Sequence, residues 1–110
     1  MIHQLRIYKI EKSLKEVFDK RFQEHAWRIM KSYGFSVAAM WYSEFDDQLE
    51  FVYILEWPDR EAMQKQWEAF MADIEWEDVK KKSREQYGEM VLGKARDQIL
   101  EDTSWFENRI

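Results

Sequence analysis

The sequence contains no cysteine, one proline, three glycines and two histidines in 110 residues. Without cysteine there can be no disulfide framework and no thiolate metal site. His3 and His25 are too few for a three-histidine zinc centre, and they do not stand at the i, i+4 spacing of a helical metal motif, so neither a metal nor a cofactor is expected. No glycine-rich stretch could cradle a phosphate, and no nucleophile elbow surrounds Ser13, Ser32, Ser36, Ser43, Ser83 or Ser104. No apolar run approaches the roughly 18 residues of a membrane span, and the amino end carries no signal-peptide pattern. A cytoplasmic protein with no membrane partner is the expectation. Positive charge is also in deficit: 17 Lys and Arg stand against 22 Asp and Glu, a net charge of −5, which leaves no basic footprint for nucleic acid.

What the chain does have is apolar strand material. Its 45% hydrophobic and 35% charged content fits one soluble domain over residues 1–110, with 102–110 as a carboxyl-terminal tail. The central stretch is Leu49 to Trp57, LEFVYILEW, rich in β-branched and aromatic residues and closed by Pro58, which cannot continue a ladder. Alternation puts Leu49, Phe51, Tyr53, Leu55 and Trp57 on one face of this strand and Val52 and Ile54, flanked by Glu50 and Glu56, on the other. The middle of the strand is apolar on both faces, so both must be covered.

The rest of the chain supplies partners for that strand. Ile2 to Tyr8 reads as a first strand. Ser13 with Glu16 forms a capping box that opens a helix running to about Tyr33 and stopped by Gly34. At 100° per residue Leu14, Phe18, Phe22, His25, Ile29 and Tyr33 share one arc, which predicts that His25 points at the sheet and that Trp27 lies on the opposite, charged side. Phe35 to Glu44 reads as a second strand with Val37, Ala39 and Trp41 on one face and Ala38, Met40 and Tyr42 on the other, joined through Phe45-Asp46-Asp47-Gln48 to the third as a hairpin. Asp59 caps a helix with apolar face Met63, Trp67, Phe70 and Ile74, a break is expected near Asp73, and a further helix ends at Gly88 behind Lys80, Lys81, Lys82 and Arg84. Met90 to Leu100 completes the order βαββαβ. That order specifies an α+β, ferredoxin-like fold, a four-stranded antiparallel sheet with helices on one face. Trp105 and Phe106 in the tail suit a segment that lies across a surface.

Helices on one face leave the other bare. A second copy is the simplest cover, because a self-complementary sheet face packs about a two-fold axis and buries roughly 2,000 Å² or more. The expected partner is therefore the chain itself, as a homodimer through the sheet face, with sheet against sheet forming a barrel shared by two subunits.

Leu5-Arg6-x-Tyr8, the Gly34-Phe35 turn leading into Ala39-Met40-Trp41, and Trp67-x-x-Phe70-x-x-Asp73-x-x-Trp76 together resemble the NIPSNAP family in its small stand-alone bacterial form, over Ile2 to about Ser104. The resemblance implies a dimeric α+β barrel, in which a ligand cleft often lies between sheet and helices. It implies no activity, since the superfamily holds oxygenases, isomerases, haem degraders and binding proteins. The haem degraders resemble this chain in fold but take their axial histidine from late in the sequence, and no histidine follows His25.

Two readings of function follow. In the first, the chain is a binding domain whose cleft holds a small apolar or aromatic molecule, walled by Tyr8, Trp41, Tyr53 and Trp67. The alternative is a cofactor-free oxygenase or isomerase with His25 as catalytic base. Arg6, on a central strand, needs an acidic partner, with Glu44, Glu50 and Glu56 available, and its expected role is a structural ion pair at the dimer interface.

Overall fold

The computed structural model describes residues Met1–Ile110. Its four strands are β1 (Ile2–Ile10), β2 (Ser36–Phe45), β3 (Gln48–Trp57) and β4 (Arg96–Leu100), in the spatial order β2-β3-β1-β4 with every neighbouring pair antiparallel. The ferredoxin-like α+β expectation therefore holds, with β1 and β3 central. The β2–β3 hairpin turns on Asp46 and Asp47, both at positive φ (50° and 58°), as a two-residue turn matched to strand twist requires.

The helices lie on one face. The first helical rod begins with a 3₁₀ turn (Lys12–Leu14), continues as α1 (Lys15–Arg21), widens into a π-helical turn (Phe22–Ala26) and ends as α2 (Trp27–Ser32). Its cap is Glu11, whose carboxylate accepts from the Ser13 backbone N–H; Ser13 does not cap through its own hydroxyl, which bonds to Glu11 as well. After β3, Asp59 caps α3 (Arg60–Met71) and Asp73 caps α4 (Ile74–Tyr87). The helical phase restarts at Asp73, and Ile74 consequently points to solvent instead of extending the apolar face of α3.

Two strand readings shift. A bulge between Val37 and Ala39 inserts Ala38 as an extra residue, so Val37 pairs with Leu55 and joins Met40 and Tyr42 on the helix-covered face. Ala39 and Trp41, paired with Ile54 and Val52, stay on the opposite face. The last strand is shorter than Met90 to Leu100, because Gly93 turns the backbone at φ 73° and leaves only a single bridge, Ile10 to Val91, upstream of β4.

The core is aromatic and lies between β3 and the helices. Leu49, Phe51, Tyr53, Leu55 and Trp57 are buried, as alternation requires, and Phe22 packs on Phe51 and Phe35 on Trp57 at ring separations of 4.9 Å. The other face is uncovered. Leu5, Ile7, Val52 and Ile54 are only half-buried there, and Trp41 is 49% exposed. The tail curls back at one end of this face, where Asn108 donates to Asp102 and Ile110 lines one small pocket with Ile54 and His3, while Trp105 and Phe106 project into solvent.

Candidate functional site

Between the first helical rod, α3 and the sheet lies a cleft of about 270 Å³. Its floor is Tyr8 and Tyr53 from β1 and β3, its walls are Phe18, Phe22, Ala26 and Met30 on one side and Trp67, Phe70 and Trp76 on the other. The helix residues recur as Phe18, Phe22, Ala26, Met30, a stripe of every fourth residue that the π turn makes possible. In that turn the Trp27 N–H reaches back to the carbonyl of Phe22, five residues earlier, so one additional residue is accommodated per turn.

That same turn moves His25. An arc counted at 100° per residue places it over the sheet, but the wide turn brings Ala26 there instead, and His25 falls in a groove between the rod and α4, which Lys20, Glu75, Asp78 and Lys82 also line. The phase change also brings Trp27 inward. It packs at the helix–sheet margin near Phe22, Met40 and Phe51, with the Lys31 ammonium 4.4 Å from its ring, instead of standing on an open charged side.

Of the four aromatics expected to wall a cleft, Tyr8, Tyr53 and Trp67 do line one. Trp41 does not, because it pairs with Val52 on the uncovered face of the sheet. Arg6 is the larger correction. It is cross-strand from Tyr53, and therefore lies on the helix-covered face and in the cleft. Its partner is Asp97 on β4, at 3.5 Å, and not any of the three glutamates. Glu50 and Glu56 alternate to the other face, and Glu44 lies at the hairpin end of β2.

A polar chain runs through the floor. Arg6 Nη2 donates to the Tyr8 hydroxyl at 3.1 Å, which contacts the Tyr53 hydroxyl at 2.7 Å. The guanidinium also stacks over Trp67 at 4.6 Å and Tyr8 at 5.2 Å, close enough for cation–π attraction. Burial works against the charge of Arg6, but the Tyr8 and Tyr53 oxygens outweigh it and hold its proton above the usual range. Burial drives the Tyr53 phenol well above its ordinary value, with Tyr8 adding to the effect and Arg6 opposing it, so Tyr53 is a neutral hydroxyl at physiological pH. Behind the chain, buried Gln4 accepts from the indole N–H of both Trp57 (2.9 Å) and Trp67 (2.7 Å) and donates to Asp97 (2.8 Å). It fixes the Trp67 wall and the Arg6 partner together.

Two site residues escaped the sequence reading. Arg21 lines the cleft with its guanidinium 5.4 Å from Trp76 and 5.9 Å from Phe18, and Nη1 donating to Ser83 at 2.8 Å. Its position three residues after Phe18 and seven after Leu14 is the spacing of one helical face, a signal that was available. Gln4 carried no such signal, since a lone polar residue on a strand gives no hint of the two indoles that converge on it. No three His, Asp or Glu side chains come together in a way that could hold a metal ion, and no helix is long and apolar enough to cross a membrane.

The NIPSNAP family model matches residues 3–106. Among solved structures, a NIPSNAP family protein of unknown function from Agrobacterium tumefaciens is similar at 19% identity, covering 96% of this chain and 91% of that one with a TM-score of 0.79. A NIPSNAP domain protein from Burkholderia xenovorans is similar at 18% identity, covering 98% and 100% with a TM-score of 0.79. More distantly, a Nitrosomonas europaea protein assigned by name only to the antibiotic biosynthesis monooxygenases shares the fold at 11% identity, covering 93% and 98% with a TM-score of 0.62. At these identities the likeness is one of fold. No curated protein matches the chain in sequence.

Proposed function

The chain belongs to the NIPSNAP family, and from that premise we propose that it is a homodimeric binding domain whose cleft between sheet and helices holds a small apolar or aromatic molecule. The cleft carries this reading. Its 270 Å³ is nearly twice the roughly 150 Å³ that accommodates benzene in an apolar cavity, and aromatic rings supply most of its wall. The alternative, a cofactor-free oxygenase or isomerase, named His25 as base; His25 lines the groove beside α4 and not this cleft, which favours the binding reading. Tyr53, neutral and fully buried, is a hydrogen-bond donor and not a base.

The dimer rests on surface arithmetic. A compact monomer of 13.6 kDa should expose roughly 6,600 Å², whereas this chain exposes 7577 Å². Its radius of gyration is 14.8 Å against about 13 Å for a compact domain of this length, and its shortest dimension is 21 Å, the depth of one sheet and one helix layer. The exposed tail and the uncovered apolar face both contribute to the excess. A second copy placed sheet to sheet would cover Leu5, Ile7, Trp41, Val52 and Ile54 at the scale of a stable interface.

Titration with a neutral probe, 2-naphthalenemethanol, tests the cleft. Saturable quenching of tryptophan fluorescence at one probe per chain is expected, with Trp67 and Trp76 in the wall, and it should disappear when Ala26→Leu fills the space while circular dichroism stays unchanged. Quenching that survives in a folded Ala26→Leu protein would place binding elsewhere.

A further inference from the structure

Resting on the reading that this cleft binds an apolar or aromatic molecule, we propose that its ligand carries a carboxylate, held by Arg21 and by the Tyr8–Tyr53 hydroxyl pair. The charged residues that line the cleft are Arg6, Arg21 and Lys80, and no carboxylate, amide or histidine side chain lines it. An aromatic cavity whose charges are all positive is built for an acceptor.

Donor counting leads to the same conclusion. Two phenols bring two O–H protons, the contact between Tyr8 and Tyr53 uses one, and the Tyr8 oxygen is already accepting from Arg6. Whichever way the pair is oriented, one phenolic proton is left without an acceptor in the protein. Arg6 Nε is buried with no hydrogen-bond partner at all. Buried donors without acceptors are rare, because each costs about 1–3 kcal/mol. Tyr53 is fully buried and Arg6 Nε has no accessible surface, whereas Tyr8 is partly exposed; with Tyr53 donating to Tyr8, the spare proton sits on Tyr8 and faces the cleft, where an acceptor oxygen of a ligand would satisfy it.

The cations are not equivalent. Arg6 is held by Asp97 on one side, and Lys80 by Glu77 at 3.0 Å. Arg21 gives one N–H to the neutral Ser83 hydroxyl and has no carboxylate within 4.0 Å; Glu89 acts on it only at longer range. It is half-buried between Phe18 and Trp76. A planar guanidinium seated on aromatic rings with its remaining donors uncommitted is the side chain suited to a bidentate carboxylate contact. The ligand class is then an aromatic or short acyl monocarboxylate of roughly eleven heavy atoms within the cleft, scaled from the benzene-sized cavity.

Calorimetric titration at low ionic strength with 2-naphthoate and its methyl ester tests this. The wild-type protein should bind the naphthoate at least ten-fold more tightly than the ester. In Arg21→Met that ratio should collapse to within two-fold, and Arg21→Lys, which keeps the charge but not the fork, should fall between. If ester and acid bind alike, the carboxylate assignment is overturned and the apolar cleft stands. If neither binds, both readings fail. A preference for the acid that persists undiminished in a folded Arg21→Lys and Arg21→Met would remove Arg21 from the site.

Discussion

The two faces of the sheet begin from similar residues and end differently. On β3, Phe51, Tyr53 and Leu55 are almost wholly buried, while Val52 and Ile54, their immediate neighbours in sequence, are only half-covered. Hydrophobicity does not account for the contrast, since Val and Ile are as apolar as the residues between which they stand. Connection geometry does. The crossovers β1 to β2 and β3 to β4 each join parallel strands that are not adjacent, run in opposite directions, and share one hand, so both deliver their helices to the same side. An apolar face therefore says that something must cover it, and topology says whether the chain can do so itself.

The sharpest way to break the comparison is to put the same charge on each face. Leu55 is 0% exposed under the helices. Leu55→Glu should cost about 4 kcal/mol or more, or prevent folding, because a lone carboxylate there has neither water nor a partner. Urea denaturation measures the loss. A variant that folds with near wild-type stability would mean that the helix layer is far looser than its packing indicates.

The sequence made this covered face legible because β3 alternates cleanly and the aromatic positions of the helices are spaced to meet it. It also showed that the opposite face was apolar. The site was harder to see, for two local reasons. The π turn at Phe22–Ala26 has no signature in residue type, and one widened turn was enough to exchange His25 for Ala26 over the sheet. The bulge at Ala38 is equally silent, since Val37, Ala38 and Ala39 would all suit an unbroken strand. Alternation puts Arg6 on the same side of β1 as Gln4 and Tyr8, but which of the two sheet faces receives the helices depends on long-range packing that alternation alone does not fix.

Gln4 gives a next and smaller effect on the covered side. Gln4→Leu roughly keeps the side-chain volume but strips the acceptor from the indoles of Trp57 and Trp67. Two donors left wanting at about 1–3 kcal/mol each set a limit of about 6 kcal/mol, and water reaching Trp67 at the cleft brings the expected loss to about 2–4 kcal/mol. Thermal melts check it, and the change should appear alongside a red shift of tryptophan emission as Trp67 loosens.

Tyr53 supplies a pH test on the same face. Its folded pKa lies well above the unfolded value near 10, chiefly through burial. Below about pH 10 both states hold the proton and titration contributes nothing. Above it the unfolded state loses the proton first, so stability falls as pH rises, by about 1.4 kcal/mol per unit from this group. Tyr53→Phe should cost about 1 kcal/mol at pH 8 through the lost Tyr8 contact, and that deficit should vanish by about pH 11. A deficit independent of pH would show that Tyr53 ionises as easily folded as unfolded.

Ile54→Glu should disturb the fold least and say most about the comparison. Ile54 adjoins the buried Leu55 in sequence but shares its face with Leu5, Ala39 and Ile110, where a carboxylate can still reach water in a single chain. Its cost to the isolated fold should stay within about 1 kcal/mol, the range of substitutions at partly exposed positions. In the dimer the same carboxylate would be enclosed between two sheets with its symmetry mate, and association should fail. Light scattering at micromolar protein should then give twice the 13.6 kDa chain mass for the wild type and a single chain mass for the variant, with a native circular dichroism spectrum in both. The wild-type melting temperature should rise with protein concentration, as mass action requires of a dimer, and the variant's should not. A wild-type chain that is monomeric under these conditions, or an Ile54→Glu chain that unfolds as Leu55→Glu does, would end the proposal that a second copy covers the open face.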